Sequence, residues 1–115
     1  MEFNVRHRED VIILNPSREI IGPASREFRN VVAEQLARVS ETPKFLFDFA
    51  NVSIMDSTAL GVLMGTHLTI TPQSGRLGLI NSGTKIKTLI AKSKLSAVFE
   101  HFENEDEAIA ALTTD

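Results

Sequence analysis

The sequence has no cysteine, no tryptophan and no tyrosine among its 115 residues. Without cysteine there is no disulfide framework, no thiolate metal site and no cysteine nucleophile. That absence fits a cytoplasmic protein. The first ten residues, MEFNVRHRED, carry charge throughout and lack an apolar h-region, and nowhere do eighteen apolar residues run together. Secretion and membrane spanning are therefore not expected. The formal charge is only -3, and the twelve Lys and Arg read as interleaved with the fifteen Asp and Glu, so no nucleic-acid partner is expected. The seven Phe are scattered among apolar neighbours, which fits core packing better than a base-stacking platform.

What is present is enough for one compact domain, residues 1–115, because 43% hydrophobic content supplies a core without staples. Phe3 and Val5 alternate with Glu2, Asn4 and Arg6, and the turn Arg8-Glu9-Asp10 leads to the apolar run VIILN, which together read as a hairpin. Pro23 opens a helix whose apolar face is Ala24, Phe28, Val31, Val32, Leu36 and Val39. KFLFDFANV, residues 44–52, reads as a buried strand. A second helix follows with Leu60, Leu63, Met64 and Leu68 on its apolar face, stopped by Thr71-Pro72 and Ser74-Gly75.

RLGLIN is the next strand, and Ser82-Gly83-Thr84 is expected to cap a helix carrying Ile86, Leu89 and Ile90. LSAVFEHF is a strand candidate, and the acidic start of ENEDEAIAAL suits the dipole of a last helix. The resulting order, ββαβαβαβα, predicts an α/β fold with a mixed sheet and about four helices.

No constellation of catalytic residues emerges, so the chain is not expected to be an enzyme. His7, His67 and His101 lie far apart in sequence, without metal-ligand spacing. GLINSGTK has the glycine spacing of a phosphate-binding loop, but Thr84 precedes Lys85 where the P-loop needs Lys first. Ser57 is not in a G-x-S-x-G elbow.

Attention therefore falls on the polar triplet Asp56-Ser57-Thr58 ahead of a glycine-dotted apolar segment. One helix cap, worth roughly 0.5–2 kcal/mol, accounts for one such residue and not three. Gly61 and Gly65, four residues apart, leave a bare strip that allows close approach of either the protein's own sheet or a partner.

The stretch FLFDFANVSIMDSTALG resembles the strand, turn and D-S-[S/T]-G-L-G signature of bacterial anti-sigma factor antagonists, proteins of the STAS fold, and the likeness continues through GRLGLINSGTKIKTLI and VFEHFENEDEAIAAL. The resemblance implies a mixed sheet packed on helices with the signature loop exposed at one end. It implies a regulatory role by partner switching: the unphosphorylated form binds an anti-sigma factor that is also a serine kinase, phosphorylation ends binding, and a metal-dependent serine phosphatase reverses it. Carried over, Ser57 is the phosphoacceptor, and Asp56 and Thr58 belong to its loop; the bare strip beside the acceptor makes Ala59, Gly61 and Val62 the expected partner contacts. ATP belongs to the kinase, so no cofactor is assigned, and the chain alone is expected to be a monomer. The other role the resemblance allows is a STAS scaffold subunit of a stress-signalling or lipid-transport complex, without modification of Ser57. Ala59 stands where the family usually has Gly, and Lys94 where it has a Gly-Leu turn; a positive φ at Lys94 would cost roughly 1–2 kcal/mol.

Overall fold

The computed structural model describes residues 3–39 and 41–114, so Glu2 of the expected first alternation lies outside it. β1 (Phe3–Arg8) and β2 (Val11–Pro16) form an antiparallel hairpin in which Arg8 pairs with Val11. The two linking residues, Glu9 and Asp10, have φ of 48° and 70°. Two successive positive φ values define the turn whose twist matches a two-residue hairpin.

From β2 the chain alternates with helices: α1 (Pro23–Arg38), β3 (Lys44–Asp48), α2 (Ser57–Ile70), β4 (Arg76–Ile80), α3 (Thr84–Lys92), β5 (Glu100–His101) and α4 (Glu105–Leu112). The sheet order is β1-β2-β3-β4-β5, with every pair after the first parallel. Parallel neighbours require crossovers, and crossovers of one hand between consecutive strands lay their helices on one face. Ile12, Leu14, Phe45, Phe47, Leu77 and Leu79 thus pack with Phe28 and Val32 of α1, Leu60 and Leu63 of α2, and Ile86 and Ile90 of α3. The opposite face, through Val11, Ile13, Leu46 and Ile80, packs on Ala108, Ile109 and Leu112 of α4. Burial on both faces is why VIIL and FLF read as continuous apolar runs rather than alternating ones.

Phenylalanine links the layers. Phe28 meets Phe3 and Phe47 at 5.9 and 5.7 Å between ring centroids, and Phe47 stacks with Phe45 and Phe49 at 6.0 and 6.2 Å. Such pairs contribute about 0.5–1.5 kcal/mol each beyond area burial.

Several local expectations are corrected. β3 stops at Asp48, because the Asp48 carboxylate accepts the Ala50 N–H and Val52 N–H turns back to the Phe49 carbonyl. Only Glu100 and His101 of LSAVFEHF pair as a strand; Val98 N–H bonds the Leu95 carbonyl in a turn. Leu68 lies on the solvent side of α2, 61% exposed, since the core takes Leu60, Leu63, Thr66 and Ile70. Val39 stands just past the end of α1 in extended backbone. The cap of α3 is Gly83 with no side-chain bond, while the Ser82 hydroxyl is buried without a partner among the described residues.

Candidate functional site

Ligand sites in open α/β sheets form outside the carboxyl ends of the parallel strands. Here those ends are tied by a polar cluster. The buried Asp48 carboxylate accepts from the amides of Asn15 at 3.0 Å and Asn81 at 2.9 Å, one from the end of each flanking strand, and Asn51 donates to Asn15 at 3.2 Å. The loop from β3 to α2 rises from this cluster and pairs with the loop from β2 to α1. Ile20 N–H donates to the Ile54 carbonyl and Asp56 N–H to the Ile20 carbonyl, both at 3.0 Å.

Asp56 is the N-cap of α2, with extended backbone (φ -92°, ψ 176°). Its Oδ1 accepts the Ala59 N–H at 2.9 Å and the Ser25 hydroxyl at 2.7 Å, and its Oδ2 accepts the Gly22 N–H at 2.9 Å. Gly22 caps α1 at φ +57°, where a side chain is strained. One carboxylate therefore fixes the N-termini of both helices. Burial opposes ionisation of Asp56, but the donors Ser25, Ala59 N–H, Gly22 N–H and Thr58 N–H outweigh it and hold the carboxyl below its usual range.

With the cap held by Asp56, Ser57 at the first helical position is exposed, and its hydroxyl has no partner among the described residues. Thr58 is exposed and faces a groove of ≈470 Å³ between α1 and α2. Arg29, Val32 and Leu36 line its α1 side, and Gly61, Val62 and Gly65 line its α2 side. A Cβ on Gly61 or Gly65 would meet no atom within 4 Å, so the bare strip faces open space and not the protein's own sheet.

The structure thus places Thr58, Gly61 and Val62 on the wall of one groove, with Asp56 and Ser57 at the adjoining start of α2. It does not bring Ala59 there. Ala59 is 0% exposed and packs in the core, since the third helical position points back over the sheet, and it is corrected from a partner contact to a core residue. Sequence reasoning missed Gly22 and Ser25, which meet Asp56 only through the fold; no local pattern marks a contact across more than thirty residues.

Among the described residues, no three His, Asp or Glu side chains cluster to hold a metal, and no helix is long and apolar enough to cross a membrane. His67 lies edge-on to Phe99, and His101 Nε2 is 3.2 Å from the Ser96 carbonyl.

Comparison with known proteins agrees with this architecture. The anti-sigma F factor antagonist of Paenibacillus polymyxa is 23% identical over 112 residues, 97% of this chain and 95% of that protein. An anti-sigma-factor antagonist (STAS) domain protein from Planctomyces limnophilus matches in structure with a TM-score of 0.89 at 15% identity, covering 97% of this chain and 98% of the other. The Bacillus cell fate determinant SpoIIAA in its phosphorylated form matches with a TM-score of 0.73 at 20% identity, covering 96% and 98%. At these identities the solved structures speak for the fold. The STAS domain profile matches residues 2–108, nearly the whole chain, and the chain belongs to that family.

Proposed function

We propose that this protein is an anti-sigma factor antagonist that works by partner switching, with Ser57 as the switch. Unphosphorylated, it binds an anti-sigma factor with serine kinase activity in a one-to-one complex and so frees a sigma factor. Phosphorylated on Ser57 by that kinase, it lets go, and a serine phosphatase restores it. It has a regulatory, non-enzymatic role in the cytoplasm and is a monomer when alone.

The observation that carries this reading is the division of labour at the start of α2. Asp56 caps the helix and leaves the neighbouring Ser57 hydroxyl exposed and unbonded among the described residues. A hydroxyl needed for capping would be lost to the helix on modification; this one is not. A phosphate there adds roughly -1.5 to -2 charge, which a helix N-terminus accommodates through its dipole and free N–H groups. The fold then persists and the change is read at the surface. The name of the Paenibacillus relative and the existence of a phosphorylated form of SpoIIAA support the reading.

The test is to incubate the protein with candidate anti-sigma kinases and ATP, map any phosphate by mass spectrometry, and titrate both forms against the kinase by calorimetry. Phosphate at Ser57 with weakened binding is expected. Tight binding of a partner with no labelling of Ser57 would instead favour an unmodified scaffold role.

A further inference from the structure

The charges of the chain are not interleaved throughout, contrary to the expectation from composition. From Ser57 to Phe99 there is no Asp or Glu, and all fifteen acids lie before or after that stretch. Within it, α3 and the turn after it gather Lys85, Lys87, Lys92 and Lys94. All four are exposed, and none is in an ion pair with a described residue. On a chain of net negative charge, this is a local basic face.

Lys85 and Lys92 are seven residues apart, which puts them on the same side of α3 about 10 Å from each other along its axis, with Thr88 between. That side borders a groove of ≈300 Å³ whose opposite wall is Ile54 and Met55, the residues just ahead of Asp56, with Leu89 also lining it. Ile54 is 38% exposed, one of three exposed large hydrophobics among the described residues. Ile21, another of the three, follows Ile20, whose N–H bonds the Ile54 carbonyl. Lys87 faces a different hollow, beside His101 and Glu103.

Resting on the partner-switching reading, we infer that this groove is the docking site for an acidic segment of the protein partner. An apolar side chain of that segment sits against Ile54 and Leu89, and carboxylates on either side, about 10 Å apart, meet Lys85 and Lys92. Two cations flanking an apolar slot select for that charge pattern. The slot has no aromatic platform for a base, and it is too narrow an apolar surface for a bilayer. The inference also gives the switch a physical cause. Ser57 follows Ile54 by three residues, within about 11 Å along the chain, so its phosphate would bring negative charge near a groove that takes carboxylates.

Two arms test it. In the first, calorimetry and chemical-shift mapping follow a synthetic helical peptide with one leucine between two glutamates seven residues apart, next to its glutamine counterpart, a short DNA duplex and phosphatidylglycerol vesicles. The glutamate peptide should shift Ile54, Thr88 and Leu89, bind more tightly than the glutamine peptide, and lose about tenfold in affinity on Lys85→Glu/Lys92→Glu. Lys87→Glu should bind as wild type. Thermal unfolding of all variants should be unchanged, because these side chains are exposed and unpaired. In the second arm the same variants are titrated against the kinase that labels Ser57, with the same tenfold loss expected, shrinking as salt rises. Equal kinase affinity for wild type and the double variant overturns the groove and leaves the switch standing. If no kinase labels Ser57, the switch fails and the peptide arm alone decides the groove. Equal binding of the glutamine peptide, equal loss in Lys87→Glu, or tighter uptake by DNA or vesicles overturns it.

Discussion

The Ser25 hydroxyl donates to Asp56 Oδ1 at 2.7 Å, joining the first turn of α1 to the cap of α2. With the Gly22 N–H on Oδ2, this makes Asp56 more than an ordinary helix cap. Asp56→Ala should therefore exceed the roughly 1 kcal/mol of a typical cap and approach about 2–3 kcal/mol, because it leaves the Gly22 and Ala59 N–H groups without their acceptor and the buried Ser25 hydroxyl with only the Ile20 carbonyl at 3.4 Å. Urea unfolding measures this. A loss no larger than that of an exposed cap would mean the two helix starts are held by something else.

The same carboxylate sets a pH dependence. Its pKa in the folded chain is below its unfolded value, so its contribution to stability is fully present above about pH 4 and is lost as pH falls through the folded value. Glu105 acts in the same direction: the hydrogen bond from Arg6 depresses it most, burial opposes, and a further bond from Arg8 adds to the depression. Wild type should lose stability steeply on acidification below about pH 4. Asp56→Asn and Glu105→Gln should each be less stable at pH 7 and flatten that acid limb. Parallel acid limbs in all three proteins would remove both groups from the account.

Glycines divide into two kinds. A Cβ on Gly61 would meet nothing within 4 Å, whereas one on Gly75 would stand 2.6 Å from the Pro43 carbonyl oxygen and 2.7 Å from Ile70. Gly61→Ala should raise stability by about 0.5–1 kcal/mol through lower chain entropy, and Gly75→Ala should cost about 1–3 kcal/mol through overpacking. Gly61→Arg should then fill the groove between α1 and α2 and abolish kinase binding without loss of fold. Val62→Asp is a poorer probe of the same groove, because Val62 is half-buried against the core.

Lys94 ends α3 at φ +60°, with Lys94 N–H on the Ala91 carbonyl and Leu95 N–H on the Ile90 carbonyl, each at 3.0 Å. That pair of bonds is the left-handed helix stop usually made by glycine. Lys94→Gly should stabilise the chain by up to about 1 kcal/mol in thermal or urea unfolding. No gain would indicate that the lysine side chain offsets its backbone strain.

Lys94 also shows what was legible in the sequence and what was not. It has no stop signal of its own and is placed at a turn only by the family resemblance, whereas Pro23, Asp56 and Ser74-Gly75 mark boundaries through local chemistry, and local chemistry survives folding. Element order followed from the same signals. The extent of β3 did not, because Asp48 ends its strand by accepting from Ala50 N–H and by holding Asn15 and Asn81 at the ends of the two flanking strands; nor did that of β5, where a turn from Leu95 to Val98 takes the first part of the candidate strand. Helical period alone put Leu68 with Leu60 and Leu63, and only the position of the sheet sets where the apolar stripe ends. At the site, the family-like triplet pointed to Ser57, which is exposed, but Ala59 was misplaced because a short motif does not tell which of its residues turns inward.

The switch itself is tested at Ser57. A phosphate at the start of α2 is favourable for the helix, so phosphorylated protein should unfold no earlier than unmodified protein. Loss of binding must come from the interface, where a hundredfold change in affinity requires only about 2.7 kcal/mol, within reach of like-charge repulsion and desolvation. Ser57→Ala should bind the kinase, resist labelling and keep the sigma factor free. Ser57→Asp, with one charge in place of nearly two, should weaken binding only in part. Thr58→Ala should still accept phosphate, since Ser57, next to the cap, keeps its exposed hydroxyl, whereas Thr58 faces the α1–α2 groove. Calorimetry and mass spectrometry decide it: full labelling of Ser57→Ala, or equal affinity of phosphorylated and unphosphorylated protein for the kinase, would take the switch away from Ser57.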